Sequence, residues 1–186
     1  MRTIVVHRSK YGHTRGYAEW LAESLGADAA EVDETPSLAD YDAAVLLAPI
    51  YVGRMPGVAP FFERAAGAPE TVLLGATVGG ADPAAADGRA AIDAAIDRAV
   101  PEELKPRVEW FHLRGGLDYP RMSIFDRFLM RYPLSQMRKQ QRERGETPTP
   151  ISETMKSVVD FRERAALDPI IERIRALEAR EAADGE

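Results

Sequence analysis

At 186 residues and 20.5 kDa the chain suits one domain with a sizeable core, and its 45% hydrophobic content is that of an ordinary globular protein. The absence of cysteine excludes disulfides, thiolate nucleophiles, Cys-ligated zinc and iron–sulfur clusters, and fits a reducing compartment. A net charge of −6 argues against general nucleic-acid binding, and no apolar run approaches the ~20 residues that span a bilayer.

The first predicted element is the β-branched run "TIVVH" (Thr3–His7), a buried strand, and no signal peptide is expected ahead of it. After the turn "SKYGHT" the pattern becomes helical from Thr14 to Leu25. Tyr17, Leu21 and Leu25 share one face, Ala18 and Ala22 flank it, and Gly26 ends the helix. "ADAAEV" reads as a weak edge strand. "AAVLLAP" (Ala43–Pro49) is a central strand, followed by a helix holding "FFERAAG". "TVLLGATV" (Thr71–Val78) is the next strand, then the turn "GGADP" and an Ala-rich helix from Asp87 to Val100.

"VEWFHLRGGL" (Val108–Leu117) predicts a fifth strand, and the last helix starts at Asp168 as N-cap with Pro169 in the first helical position. Such alternation predicts an α/β fold: a doubly wound, five-stranded parallel sheet of order 2-1-3-4-5, forming a single domain over 1–186.

Residues 119–149 break the rhythm and read as a basic amphipathic helical insertion. Ile124, Phe125, Phe128, Leu129 and Tyr132 make an apolar stripe, Pro133 interrupts it, and the basic piece "LSQMRKQQRER" follows. Seven basic residues stand against three acidic ones here, leaving −10 on the rest of the chain. "KSVVDF" (Lys156–Phe161) then reads as a short strand resuming the sheet or simply as a helix, the strand being the preferred reading.

In a doubly wound sheet, ligands sit beyond the carboxyl ends of the strands. Three turns fall there. "SKYGHT" offers hydroxyls, a glycine and the free amides of a helix start, a favourable place for a mononucleotide phosphate held by mainly neutral donors. "APIYVGRMPG" presents Tyr51 as a flat aromatic face. "TVGGADP" lets backbone approach a planar ligand at Gly79 and Gly80. The three histidines form no metal-ligand pattern, and Ser9 lacks a nucleophile elbow, so no metal is expected and no catalytic side chain stands out.

"SKYGHTRGYAEWLA" resembles the FMN-phosphate loop of flavodoxins, with Tyr11 where the middle threonine is usual. "GGLDYPRMSIFDRFLMRY", the later "GET" and "VVDF" resemble the bacterial menaquinone-dependent protoporphyrinogen oxidases, a flavodoxin-like branch with a helical insertion near the last strand. The resemblance implies FMN as cofactor, its phosphate on Ser9, Lys10, Tyr11, Gly12, His13 and Thr14. It places the isoalloxazine between the loop of Pro49, Ile50, Tyr51, Val52 and Gly53 and that of Thr77, Val78, Gly79 and Gly80. The implied reaction oxidises protoporphyrinogen IX to protoporphyrin IX with a quinone as acceptor.

Arg121 and Arg127 are the expected substrate or quinone contacts, by pairing with propionates or by docking. The stripe and its arginines suit an anionic membrane surface, so the expected location is cytoplasmic and peripheral on the inner face of the membrane. The alternative is an FMN electron-transfer protein or quinone reductase without porphyrinogen activity.

Overall fold

The computed structural model describes residues 1–122 and 158–184 and, between them, 124, 127, 128, 135, 138, 139, 141–143, 145 and 147. The chain divides into two compact units, Met1–Gly115 with Arg162–Glu186, and Gly116–Phe161.

In the first unit the strands are β1 (Thr3–His7), β2 (Asp28–Glu31), β3 (Ala43–Pro49), β4 (Val72–Gly79) and β5 (Val108–Arg114). They form one sheet in the order β2-β1-β3-β4-β5, every pairing parallel, as predicted. The helices are α1 (His13–Leu25), α2 (Ala59–Ala66), α3 (Ala86–Ala99) and, at the end of the chain, α4 (Asp168–Asp184).

Strand alternation sorts the core into two layers. Ile4, Val6, Ala44, Leu46 and Leu73 face α2 and α3, where Phe61, Phe62 and Ala95 close the layer. Val5, Val45, Leu47, Leu74 and Leu113 face the opposite way, under Tyr17 and Leu21 of α1 and Ile170 and Ile174 of α4. Each such fully buried large side chain contributes about 1.5–3 kcal/mol of transfer free energy. β4 contains Gly75 because Trp110 of β5 lies across it: a Cβ there would stand 2.5 Å from the indole. α1 ends as its sequence implies, on Gly26 in the left-handed region at φ 62°.

Two expectations need correcting. The run predicted as one strand from Val108 to Leu117 divides: its ladder with β4 ends at the Arg114–Gly79 pair, closed by the Gly115 N–H on the Gly79 carbonyl (2.7 Å), and Gly116–Asp118 pair elsewhere. And the strand in "KSVVDF" does not resume the sheet. It is β7 (Val158–Asp160), paired antiparallel with β6 (Gly116–Asp118) in the second unit. A three-residue antiparallel ribbon needs only facing strands, whereas a sixth parallel strand would need a covered crossover.

The second unit also holds Tyr119, buried in the short 3-10 turn Tyr119–Arg121. Ile124, Arg127 and Phe128, and further on Ser135, Arg138, Lys139, Gln141, Arg142 and Glu143, have helical backbone. Phe125, Leu129, Tyr132 and Pro133 of the predicted stripe lie outside the described residues. Among the described residues no helix is long and apolar enough to cross a membrane, and no acidic or histidine cluster could hold a metal.

Candidate functional site

The order β2-β1-β3 reverses direction at β1, so the crevice beyond β1 and β3 is the switch point of the sheet. The β1–α1 turn forms its floor. Gly12 caps α1 at φ 91°, a value that glycine alone adopts without strain, and donates its N–H to Ser9 Oγ (3.1 Å). Nothing lies within 4 Å of where a Cβ at Gly12 would point, so the turn is open at that place. The N–H of Gly16 returns to the Gly12 carbonyl, while the amides of the first helical turn have no intrahelical acceptor. Thr14 is buried just inside the helix.

The β3–α2 loop meets this turn. The rings of Tyr11 and Tyr51 are 6.1 Å apart, tilted by 44°, and Lys10 Nζ stands 5.5 Å from the first ring and 5.1 Å from the second. One ammonium thus sits against two aromatic faces at the mouth of the crevice.

Ile50 donates its N–H to the carbonyl of Val78 (2.8 Å), which ties this loop to the end of β4. Tyr51 and Arg54 then bridge each other across Val52 and Gly53. Arg98 of α3 reaches back to the Gly53 carbonyl (2.9 Å) and holds the tip.

The third turn follows β4. A Cβ on Gly79 would come within 3.2 Å of Ile50, whereas nothing lies within 4 Å of one on Gly80. Thr77, fully buried, bonds through Oγ1 to Nδ1 of His112 on β5 (3.0 Å). Burial first, then the Arg89 charge, holds the His112 pKa below its ordinary 6.5, so the ring is neutral at pH 7. His7, at the end of β1, is held down in the same way, chiefly by burial, against the opposing pull of Glu31.

The positions expected from the sequence, Ser9–Thr14, Pro49–Gly53 and Thr77–Gly80, therefore fall on the ends of β3 and β4, the turns that follow β1, β3 and β4, and the start of α1, at one end of the sheet. Arg121 and Arg127 belong to the other unit. Arg121 is exposed, 3.8 Å from Asp118; Arg127 donates to the Pro120 carbonyl (2.6 Å) and lies 5.8 Å from the Tyr119 ring. The Thr77–His112 bond and the Arg98 clasp go beyond the sequence reading, and so does Arg162, whose Nη1 lies where a Cβ on Gly16 would fall.

A family model for the flavodoxin domain matches residues 4–144. The chain belongs to the flavodoxin domain family.

FMN is the cofactor that this membership assigns, and the residues present fit it. The first-turn amides of α1, open at Gly12, suit a phosphate. Tyr11 and Tyr51 offer ring faces, and the backbone at Gly80 is accessible to a planar group. Solved structures to which the chain is remotely similar include flavodoxins. A flavodoxin from the domain Archaea is 16% identical over 70% of this chain and 92% of its own, with a TM-score of 0.40. Oxidised Flavodoxin 1 from Bacillus cereus is 16% identical over 71% and 94%, TM-score 0.37. Fusobacterium nucleatum flavodoxin bound to flavin mononucleotide is 14% identical over 62% and 71%, TM-score 0.33. No curated protein matches the sequence.

Proposed function

We propose that this flavodoxin-domain protein is an FMN-dependent oxidoreductase that oxidises protoporphyrinogen IX to protoporphyrin IX with a quinone as acceptor, peripheral to an anionic membrane surface. The observation that carries the step from flavodoxin to enzyme is the second unit. It opens on "GLDYPRMSIFDRF", exposes Ile124 (87%) and Phe128 (65%) one helical turn apart, and carries exposed Arg121, Lys139 and Arg142. Apolar side chains flanked by cations suit a lipid-soluble acceptor, anionic headgroups and the propionates of a porphyrinogen. An electron carrier has no need of them.

When bound, FMN supplies the redox chemistry. The six hydrogens lost by the porphyrinogen, as electrons and protons, reappear on three quinone molecules as quinol, two per turnover. The protein's own groups bind and orient. Ser9, Lys10, Tyr11, Gly12, His13 and Thr14 would hold the phosphate, and Pro49–Gly53 with Thr77–Gly80 would hold the ring. His112, neutral, fixes the Thr77 hydroxyl beside that ring site through the Nδ1–Oγ1 bond.

The −10 carried outside residues 119–149 favours a second reading, an FMN electron carrier that docks basic partners. An anaerobic spectrum of the FMN-loaded protein separates the two. Bleaching by protoporphyrinogen IX and recolouring by a menaquinone analogue is the expected result. A flavin that stays oxidised in the porphyrinogen moves the case to the carrier.

A further inference from the structure

We infer that Arg98 is a positioning residue of the ring site: from the last turn of α3 it fixes the tip of the β3–α2 loop and, through that tip, the face that Tyr51 presents; this rests on the FMN reading above. The root of the loop is held without it. Ile50 donates its N–H to the Val78 carbonyl (2.8 Å), and a Cβ on Gly79 would stand 3.2 Å from the Ile50 side chain. The two ring turns therefore touch at Ile50 and Gly79. A planar group needs about 3.5 Å of clearance on each side, so none fits between those two residues. The ring seat lies farther out, where Tyr51 stands and where nothing comes within 4 Å of a Cβ on Gly80.

The tip has no such root. Tyr51 and Arg54 exchange two backbone bonds (2.8 and 3.1 Å) across Val52 and Gly53, which stand at φ 48° and 68°. Val52 is exposed, so its side chain does not anchor the turn in the core. Arg98 supplies the anchor by donating from Nη1 to the Gly53 carbonyl (2.9 Å). Side chains on a helix lean toward its amino end, which brings a residue from the last turn of α3 up to a loop beyond the carboxyl end of β3. Asp97 next to it is turned to Lys105 instead (3.2 Å).

The clasp is an exposed bond made by a long side chain, which loses rotamer freedom to hold it, so it adds little to the stability of the fold. What it fixes is a geometry. The tip is a two-residue turn with paired flanks, so holding Gly53 holds Tyr51 two residues back. The Tyr51 ring then stays at its place 6.1 Å from that of Tyr11. A site held ready in this way binds a flat ligand without first having to order the loop.

Flavin fluorescence on titration of the full-length protein gives dissociation constants for FMN and for riboflavin, which lacks the phosphate. The comparison uses wild type, Arg98→Met, Tyr51→Leu and the double variant. Methionine on this exposed helix position keeps the length and the helix propensity and removes the donor. Arg98→Met is expected to weaken both flavins alike, by about tenfold, and to leave the saturated flavin more fluorescent because Tyr51 quenches it less. Arg98→Lys, which keeps a donor, should recover part of both effects. In the Tyr51→Leu background the same Arg98→Met change should alter either constant by less than about twofold. A loss confined to FMN, a loss undiminished without Tyr51, or wild-type binding and fluorescence in Arg98→Met each overturns the inference and leaves the clasp a surface contact. A wild-type protein that binds neither flavin fails the FMN reading itself, and the inference with it.

Discussion

Val52 stands at φ 48° and the following Gly53 at φ 68°, so the tip between Tyr51 and Arg54 is a two-residue turn with both central residues left-handed. Asparagine and glycine suit such a turn; a β-branched side chain is penalised there by roughly 1–2 kcal/mol. Val52 is 41% exposed, so packing returns little of that cost. Val52→Asn is therefore expected to stabilise the protein by about 1 kcal/mol and raise the thermal midpoint by about 2–4 °C. A midpoint that stays or falls would show that the valine is held by contacts worth more than its strain. No local pattern marks this turn, because Val-Gly lacks the Asn-Gly or Asp-Gly signature. The loop reads instead as one kept open by its prolines and glycines, and only the hydrogen bonds between Tyr51 and Arg54 (2.8 and 3.1 Å) reveal the tip.

At the scale of elements, one hydroxyl joins three of them. Tyr17 of α1 accepts from the segment that precedes α4 and donates to the end of β5. Tyr17→Phe keeps the buried ring and removes both bonds, leaving a backbone N–H and a carbonyl to find other partners. We expect a loss of about 1–3 kcal/mol in urea denaturation, together with faster amide exchange at Glu163 and its neighbours. Unchanged exchange there would mean that the segment is held by Leu167 and the Arg164–Glu23 pair, not by the hydroxyl.

The strands and helices of the sheet were legible because each buries a continuous or periodic apolar set: Thr3–His7, Ala43–Pro49 and the Tyr17–Leu21 face. Where a strand stops is less legible. "VEWFHLRGGL" carries no mark that its pairing with β4 ends at Arg114, and "VVDF" cannot announce which of two sheets it joins. Both outcomes are set by partners distant in sequence.

For the whole molecule, the second unit leaves and rejoins the first through facing residues, since Gly116 pairs with Asp160 in the β6–β7 ladder. Opposed residues in such a ladder are about 5 Å apart, so a short Gly-Ser linker can replace residues 116–161. The shortened protein is expected to bind FMN and to lose quinone reduction. Quinone reduction equal to that of the intact chain would sink the role proposed for the second unit. The site divides in the same way between what was legible and what was not. Three turns of one sheet end follow from strand order, which local patterns reveal. The Thr77–His112 bond and the Arg98 clasp on Gly53 join it by tertiary placement alone.

The position of α4 has a consequence for synthesis. One face of the sheet, with Val5, Val45, Leu47 and Leu74, is closed by Leu167, Ile170 and Ile174, and these are made only after the whole second unit. At about 5–20 residues per second, the ribosome holds a finished five-stranded sheet with a half-bare apolar side for several seconds. This nascent chain is one on which a chaperone has a defined surface to guard and a defined moment to let go.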